Sequence, residues 1–269
     1  MGYEWVSFTT DYGLDDGFVA ACHGVLARLA PRARVIDVTH LVPPQDVRRG
    51  AAVLAQTVPA LPPAVHLAVV DPGVGTSRRG IVVATPGGVL VGPDNGLLLP
   101  AAEALGGVTA AHELADPTYW APTVSSTFHG RDMFAPVTAH LVLGVPPMRF
   151  GPVLDADDLV RLPEPVARAR PGRLTAEVLS TDHFGNVQLA ASRAHLAEAG
   201  LRPGSPVQVS VGTTTVPATV GTTFGDVPIG ELVVFVDSAD LVAIARNGGS
   251  AADWLETHRD HDIMIEATR

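Results

Sequence analysis

The sequence predicts an α/β N-terminal domain with a mainly parallel sheet, followed by an all-β, barrel-like C-terminal domain. Three observations carry this expectation. Up to Gly144, short apolar runs alternate with stretches whose apolar residues recur at helical spacing, and strand–helix–strand repetition makes a largely parallel sheet covered by helices. After Gly144 the chain turns rich in proline and arginine and loses any clean period. Beyond residue 172 come short alternating runs parted by Gly, Pro and Asp turns, the pattern of a small barrel or sandwich. The expected division is an α/β domain over 1–150, a linker over 151–172 and a β-barrel domain over 173–269.

In chain order, VSFTTD (6–11) reads as a strand ending in polar residues, and 15–31 as a helix stopped by Pro31. ARVIDVTH (33–40) is a strand, 46–61 a helix and AVHLAVVD (64–71) a strand. Residues 81–98 read as a hairpin turning at Pro86-Gly87-Gly88, then a turn at Pro93-Asp94-Asn95-Gly96 into a helix; 130–144 is a further helix. The barrel-like half offers strands at 173–181, 185–190, 206–212, 214–221, 231–237, 241–246 and 262–268. Asp11, His40 and Asp71 all fall at strand ends, and parallel sheets bind ligands outside the carboxyl ends of their strands.

Composition removes several classes of function. The 269 residues are 46% hydrophobic and 17% charged, which argues against disorder. No apolar run approaches a membrane span, and the N-terminal stretch lacks the pattern of a secretory signal. Cys22 is the single cysteine, so no internal disulfide forms, as suits a cytoplasmic protein. A net charge of -10 without a basic stripe speaks against nucleic acid. All 18 basic residues are arginine. A Schiff-base lysine and a lysine-bearing phosphate loop are therefore excluded, although VVDPGVGTSRRG (69–80) otherwise suits such a loop.

Four polar clusters interrupt the apolar framework: TTDYGLDDG (9–17), DPGVGTSRRG (71–80), SSTFHGRD (125–132) and TDHFGNV (181–187), with DSADLVAIARNGGS (237–250) closing the β domain. Asp11 suits either a ribose diol or a helix N-cap, with Asp15 and Asp16 better placed to cap. Asp71 reads as a turn residue before Pro72 or as a catalytic carboxylate, and Arg78 and Arg79 as a solvated pair or an anion stabiliser. His129 caps a helix or handles a proton. Together, Asp, Arg and His are the set that holds and activates a water. A metal site from Asp11, Asp15, Asp16, Asp71, His129 and Asp132 competes, but no H-x-x-x-H or C-x-x-C motif is present and flanking arginines repel a cation.

The segments TTDYGLDDGFV, VDPGVGTSRRGI, GPDNGLL, STFHGRD, DHFGNV and IARN, in this order, resemble the adenosine-forming S-adenosylmethionine hydrolases, or S-adenosylmethionine hydroxide adenosyltransferases, relatives of the fluorinase and chlorinase. The likeness runs from Phe8 to about Asn247. It implies an α/β domain followed by a barrel, in a homotrimer whose sites lie between the N-domain of one subunit and the C-domain of the next. Matched residue by residue, it places the hydrolytic triad on Asp71, Arg78 and His129 and the ribose contact on Asp11. Asp16 and Asp182 match positions facing the methionine ammonium, and Ser238 one facing its carboxylate. Phe184, Asn186 and Phe224 match the adenine pocket, with Arg246 and Gly248 near it.

The implied reaction is attack of water on C5′ of S-adenosylmethionine, giving adenosine and methionine without metal or second cofactor. The sulfonium leaves as a neutral thioether, so one in-line water that sheds its proton suffices. A carboxylate at Asp71 and glycine at Gly130 replace the fluorinase's tyrosine and serine, and an anion repels a halide. Ala243 and Arg246 depart from the typical hydrolase pattern, and Gln45 stands where the fluorinase has an aromatic residue. Two alternatives stay open: a halide-using relative, and a non-catalytic adenosine or S-adenosylmethionine binding protein.

Overall fold

The computed structural model describes residues 2–258 and 261–268 and divides into two compact units, Met1–Leu162 and Pro163–Arg269. The first unit carries strands β1 (Trp5–Thr10), β2 (Arg34–Thr39), β3 (Ala64–Val69), β4 (Gly80–Thr85), β5 (Gly88–Pro93), β6 (Ala110–Glu113) and β7 (Val153–Leu154). They form one sheet in the order β2-β1-β3-β5-β4-β6-β7. β1, β2, β3 and β5 pair in parallel, and β4, β6 and β7 continue the sheet antiparallel. Helices α1 (Phe18–Leu29), α2 (Val47–Thr57), α3 (Leu99–Ala104) and α4 (Ala135–Val142) cover it.

Central β3 is buried along its whole length, as its apolar run demands, and its alternate side chains serve two cores. Val65, Leu67 and Val69 join α1 and α4 through Val25, Leu26, Val137 and Leu141. Ala68 and, just past β3, Val70 join α2 and α3 through Leu54, Leu99 and Ala101. The sheet is thus covered on both faces, and the carboxyl ends of β1, β2 and β3 present Asp11, His40 and Asp71.

One polar ring sits inside this sheet. His66 of β3 is fully buried, with Nδ1 2.7 Å from Ser7 Oγ. Burial pushes its pKa down from 6.5 to about 4. Between those values the unfolded chain binds the extra proton, so stability is lost as pH falls from 6.5 through 4. The loss should reach about 3 kcal/mol at the lower end. Thermal melts of the protein and of His66→Asn at pH 7 and 4.5 test this. A pH dependence that survives the substitution would assign the effect to other groups.

The segment 130–144, expected as one helix, starts as a π-helical turn over Gly130–Phe134 before α4. Pro136 has no N–H to give to the Asp132 carbonyl, which accepts from Ala121 N at 2.7 Å instead, and Ala135 N reaches back to Gly130 O. Capping of α1 also differs from expectation. Its N-cap is Gly17, with no side-chain capping bond, so Asp15 and Asp16 stand exposed before it. α2 does have its cap, Asp46, which accepts from Arg49 N at 2.9 Å.

The second unit holds β8 (Ala167–Arg170), β9 (Arg173–Thr181), β10 (Val187–Ser192), β11 (Pro206–Val211), β12 (Thr214–Val220), β13 (Leu232–Val236), β14 (Leu241–Arg246) and β15 (Asp262–Ala267). Their order is β10-β14-β13-β12-β11-β15-β9-β8, and a further β9–β10 pairing closes seven of them into a barrel with β8 outside on β9. β9 alternates buried and open residues along its length, and Leu174, Ala176 and Val178 point into a core shared with Val187, Leu189, Val207 and Val209. Two short helices unforeseen in the sequence, α5 (Arg193–Glu198) and α6 (Ala251–Leu255), add Leu196 and Leu255 to that core. Residues 151–172, expected as a linker, supply β7 to one sheet and β8 to the other, because ladder hydrogen bonds there need no hydrophobic period. Among the described residues no helix is long and apolar enough to cross a membrane.

Candidate active site

The loop after β3 folds back on itself through its own turns. Val74 N donates to Asp71 O, Thr76 N and Oγ1 both donate to Gly73 O, and Arg78 N donates to Thr76 Oγ1. This returns Arg78 to Asp71. Its Nε meets Oδ1 at 3.0 Å and its Nη2 meets Oδ2 at 2.5 Å, with side chains only 8% and 5% exposed. The fork-on-carboxylate geometry fixes the guanidinium plane.

Arg78 also reaches the second loop, where Nη2 lies 3.1 Å from His129 Nδ1. Guanidinium only donates, so Nδ1 is the bare acceptor and the neutral ring keeps its proton on Nε2. His129 is held below its usual pKa by burial first and by the Arg78 charge second, against opposing pulls from Asp71 and Asp132. Arg78 Nη1 is buried and has no hydrogen-bond partner among the described residues.

The neighbouring arginine does different work. Arg79 grips Asp94 with Nε at 2.9 Å and donates to the Asp158 carbonyl at 2.8 Å, while Asp94 Oδ1 accepts from Val160 N. Arg79 is therefore a clamp on the Pro93–Asp94 turn and stands apart from the Asp71–Arg78–His129 chain. The two arginines, equivalent in the sequence, thus differ in their partners: Arg78 holds Asp71 and Arg79 holds Asp94.

Two glycines set the approach of these loops. Gly75 has φ +77, and a Cβ there would overlap the Ser126 carbonyl oxygen, so the 71–80 and 125–132 loops touch backbone to backbone. A Cβ on Gly130, the residue after His129, would overlap the Tyr12 hydroxyl. Tyr12 is the residue that sequence reasoning passed over, although it stands next to Asp11 in TTDYG. Its pKa is pushed well above 10, by burial first, then by Cys22, Asp11 and Asp71, against Arg78, so the hydroxyl stays a donor. The Tyr12, Phe18 and Phe128 rings pack edge-on or tilted, at 5.2 to 6.1 Å.

Asp11 caps no helix. Its Oδ2 accepts from Gln45 N at 2.8 Å, and Gln45 itself has φ 65, an uncommon value outside glycine. Asp16 is exposed, and its carboxylate has no partner among the described residues. Asp132 is 3% exposed and accepts from Ser125 N and, in a fork, from Arg131. Asp71 and His129 both face the Arg78 guanidinium, which repels a cation from that spot.

In the barrel unit Asp182 organises its own loop. Its Oδ1 accepts from Phe184 N and Asn186 N at 2.9 Å each, and its Oδ2 accepts from Asn186 Nδ2 at 2.7 Å. Gly185 O in turn accepts from Ala251 N and Ala252 N, which leaves Phe184 75% exposed at the tip. Phe224 is half-exposed and packs edge-on against Phe235. Ser238 is exposed in the turn between β13 and β14, a turn held by Asp237, whose Oδ1 accepts from Ala239 N and Leu241 N. Arg246 lies flat over Trp254 at 3.6 Å and donates to Gly230 O, and Gly248 follows with φ 77.

Comparison with known proteins agrees with this layout. The family profiles described as SAM hydroxide adenosyltransferase N-terminal domain and C-terminal domain match residues 6–151 and 176–264. A Salinispora arenicola protein named (R)-S-adenosyl-L-methionine hydrolase is 62% identical over 98% of both chains. A fluorinase from an Actinoplanes species is more distant, at 28% identity over 93% of each. A crystal structure of a conserved Thermotoga maritima protein superposes with a TM-score of 0.91 at 38% identity, covering 97% of this chain and 99% of that one.

Proposed function

Because the chain belongs to the SAM hydroxide adenosyltransferase family, we propose that it cleaves S-adenosyl-L-methionine with water at C5′, giving adenosine and L-methionine. The observation that carries the reading is the Asp71–Arg78–His129 chain with one guanidinium nitrogen, Nη1, left without a partner among the described residues. A buried donor without an acceptor costs about 1–3 kcal/mol. A water held there satisfies Arg78 Nη1, and Arg78 favours negative charge as it develops on the oxygen.

We assign the remaining roles by these hydrogen bonds. His129 cannot take a proton on Nδ1 without breaking its bond from Arg78, so its Nε2–H orients the water. The Asp71 carboxylate, on the Nε–Nη2 edge of the guanidinium, keeps one lone pair on each oxygen and receives the proton through a second water. A weak base is enough, because the oxygen becomes strongly acidic as its bond to carbon forms. Tyr12 adds a second neutral donor. Asp11 holds the ribose hydroxyls; Asp16, Asp182 and Ser238 meet the methionine end; Phe184, Asn186 and Phe224 line the adenine, with Arg246 and Gly248 beside them.

A halide in place of the water would meet the buried Asp71 carboxylate, and the repulsion favours hydrolysis over halogenation. No metal and no second cofactor enters this scheme. Incubation with S-adenosylmethionine in ¹⁸O-water should place label on the 5′ oxygen of adenosine, unaffected by chelator. Unlabelled adenosine, no adenosine, or a 5′-chloro product in chloride would overturn the reading.

The family likeness further supports a homotrimer in which the α/β unit of one subunit and the barrel of the next complete each site. Light scattering should return three chain masses, and a single chain mass would sink that assembly. The lone, buried, free Cys22 fits a cytoplasmic setting.

A further inference from the structure

A second cluster of titratable side chains lies apart from the Asp71–Arg78–His129 chain. His23 on α1, Asp37 on β2 and His40 just past β2 converge on a single carboxylate oxygen. His23 Nε2 is 2.9 Å and His40 Nε2 3.1 Å from Asp37 Oδ1. One ligating atom from each of the three residues lies within 4.8 Å of the others.

His40 is the informative member. It is 5% exposed, its ring is met edge-on by Phe8 at 4.8 Å, and Nδ1 sits 2.9 Å from Thr10 Oγ1. Its Nε2 is near Asp37, yet it is buried without a hydrogen bond. In the tautomer that donates Nδ1–H to Thr10 Oγ1, the Nε2 lone pair is left bare beside a carboxylate oxygen. Two acceptors in contact repel unless a cation sits between them.

We propose that His23 Nε2, Asp37 Oδ1 and His40 Nε2 bind a divalent first-row transition-metal ion, zinc being the best match. Two imidazoles and one carboxylate suit zinc and its neighbours, whereas calcium and magnesium take all-oxygen sets. Tetrahedral zinc with bonds of about 2.0–2.2 Å separates its ligand atoms by roughly 3.3 Å. The observed 2.9 and 3.1 Å need open only by a few tenths of an ångström. Thr10 Oγ1 is the outer partner that would accept from Nδ1 when Nε2 holds the ion, and Phe8 supplies an apolar wall. Asp37 and His23 are 45% and 34% exposed, which leaves the fourth position to water.

The ion would tie α1 to β2 behind the site. Thr10 Oγ1 also accepts from Tyr12 N, and the His40 carbonyl accepts from Gly13 N. No step of the proposed cleavage uses the ion, so it acts on stability. No short motif announces this site, because its ligands stand at positions 23, 37 and 40 on different elements.

The test is titration of chelator-treated full-length protein with zinc by calorimetry, alongside cobalt(II) absorption spectra and thermal melts. We expect one ion per chain, tetrahedral cobalt bands and a zinc-dependent rise in melting temperature. His23→Ala and the isosteric Asp37→Asn, at partly exposed positions, should each weaken zinc binding by at least about tenfold and abolish the melting shift. No binding, or binding unchanged in both variants, would overturn the proposal and leave the cluster an ordinary histidine–aspartate contact.

Discussion

Replacing Asp71 by asparagine is expected to lower adenosine release by on the order of 10²–10⁴-fold. The substitution keeps the shape of the side chain and removes its charge. Arg78 then has one oxygen and one NH₂ where it had two acceptors, so the fork bond at Nε and Nη2 is half lost. The acceptor for the water's proton is lost with it. Because the pair is nearly sealed from solvent, with 8% and 5% exposure, the unpaired guanidinium should also cost stability, up to about 3–5 kcal/mol. Turnover measured well below the melting temperature separates the two effects. A folded Asp71→Asn protein with turnover within a few-fold of the parent would show that another group takes the proton.

The second large effect is expected from a residue that touches no substrate. Gly75→Ala adds one methyl group where φ is +77 and the Ser126 carbonyl already fills the space. The left-handed conformation alone costs roughly 1–2 kcal/mol in an L-residue. The overlap is with backbone, which cannot rotate away, so the 71–80 and 125–132 loops must part. His129 then moves away from Arg78, and the 3.1 Å bond that sets its tautomer lengthens. A displacement near 1 Å in a positioned site costs about 10²-fold in rate. Steady-state kinetics should show kcat falling far more than the modest melting shift implies. A kcat within twofold of the parent would mean that the loop contact does not set the catalytic geometry.

Much of this architecture is readable from residues alone, for reasons that differ by region. β3 is legible because a strand buried on both faces must be apolar throughout, and β9 because a barrel strand must alternate. β6 and β7 are short and half-buried, so neither rule marks them. The π-helical turn is illegible because Pro136 suits the start of an ordinary helix just as well. What decides is Ala121, distant in sequence, which takes the carbonyl that the proline leaves unpaired.

The site shows the same division. Asp71 and Arg78 stand in one motif and His129 in another, and the order of the motifs points to them, but adjacent arginines are equivalent on paper. Only their partners tell them apart: Arg79 holds Asp94 in the Pro-Asp-Asn turn, whereas Arg78 holds Asp71. Asp182 illustrates the reverse. The resemblance gives Asp182 only a ligand contact, whereas three hydrogen bonds from its own loop also make it a scaffold for Phe184 and Asn186. The His23–Asp37–His40 cluster is invisible in sequence because only the packing of α1 against β2 assembles it.

The hydrogen bond from Ala121 to Asp132 makes the amide of Ala121 a clock for the turn that carries His129. That N–H can trade its proton for deuterium only when the turn opens. Its exchange rate thus registers the integrity of the histidine's platform without any substrate present. A variant that loses activity through a changed side chain would leave this clock unaltered, and one that loses it through a loosened platform would speed it up.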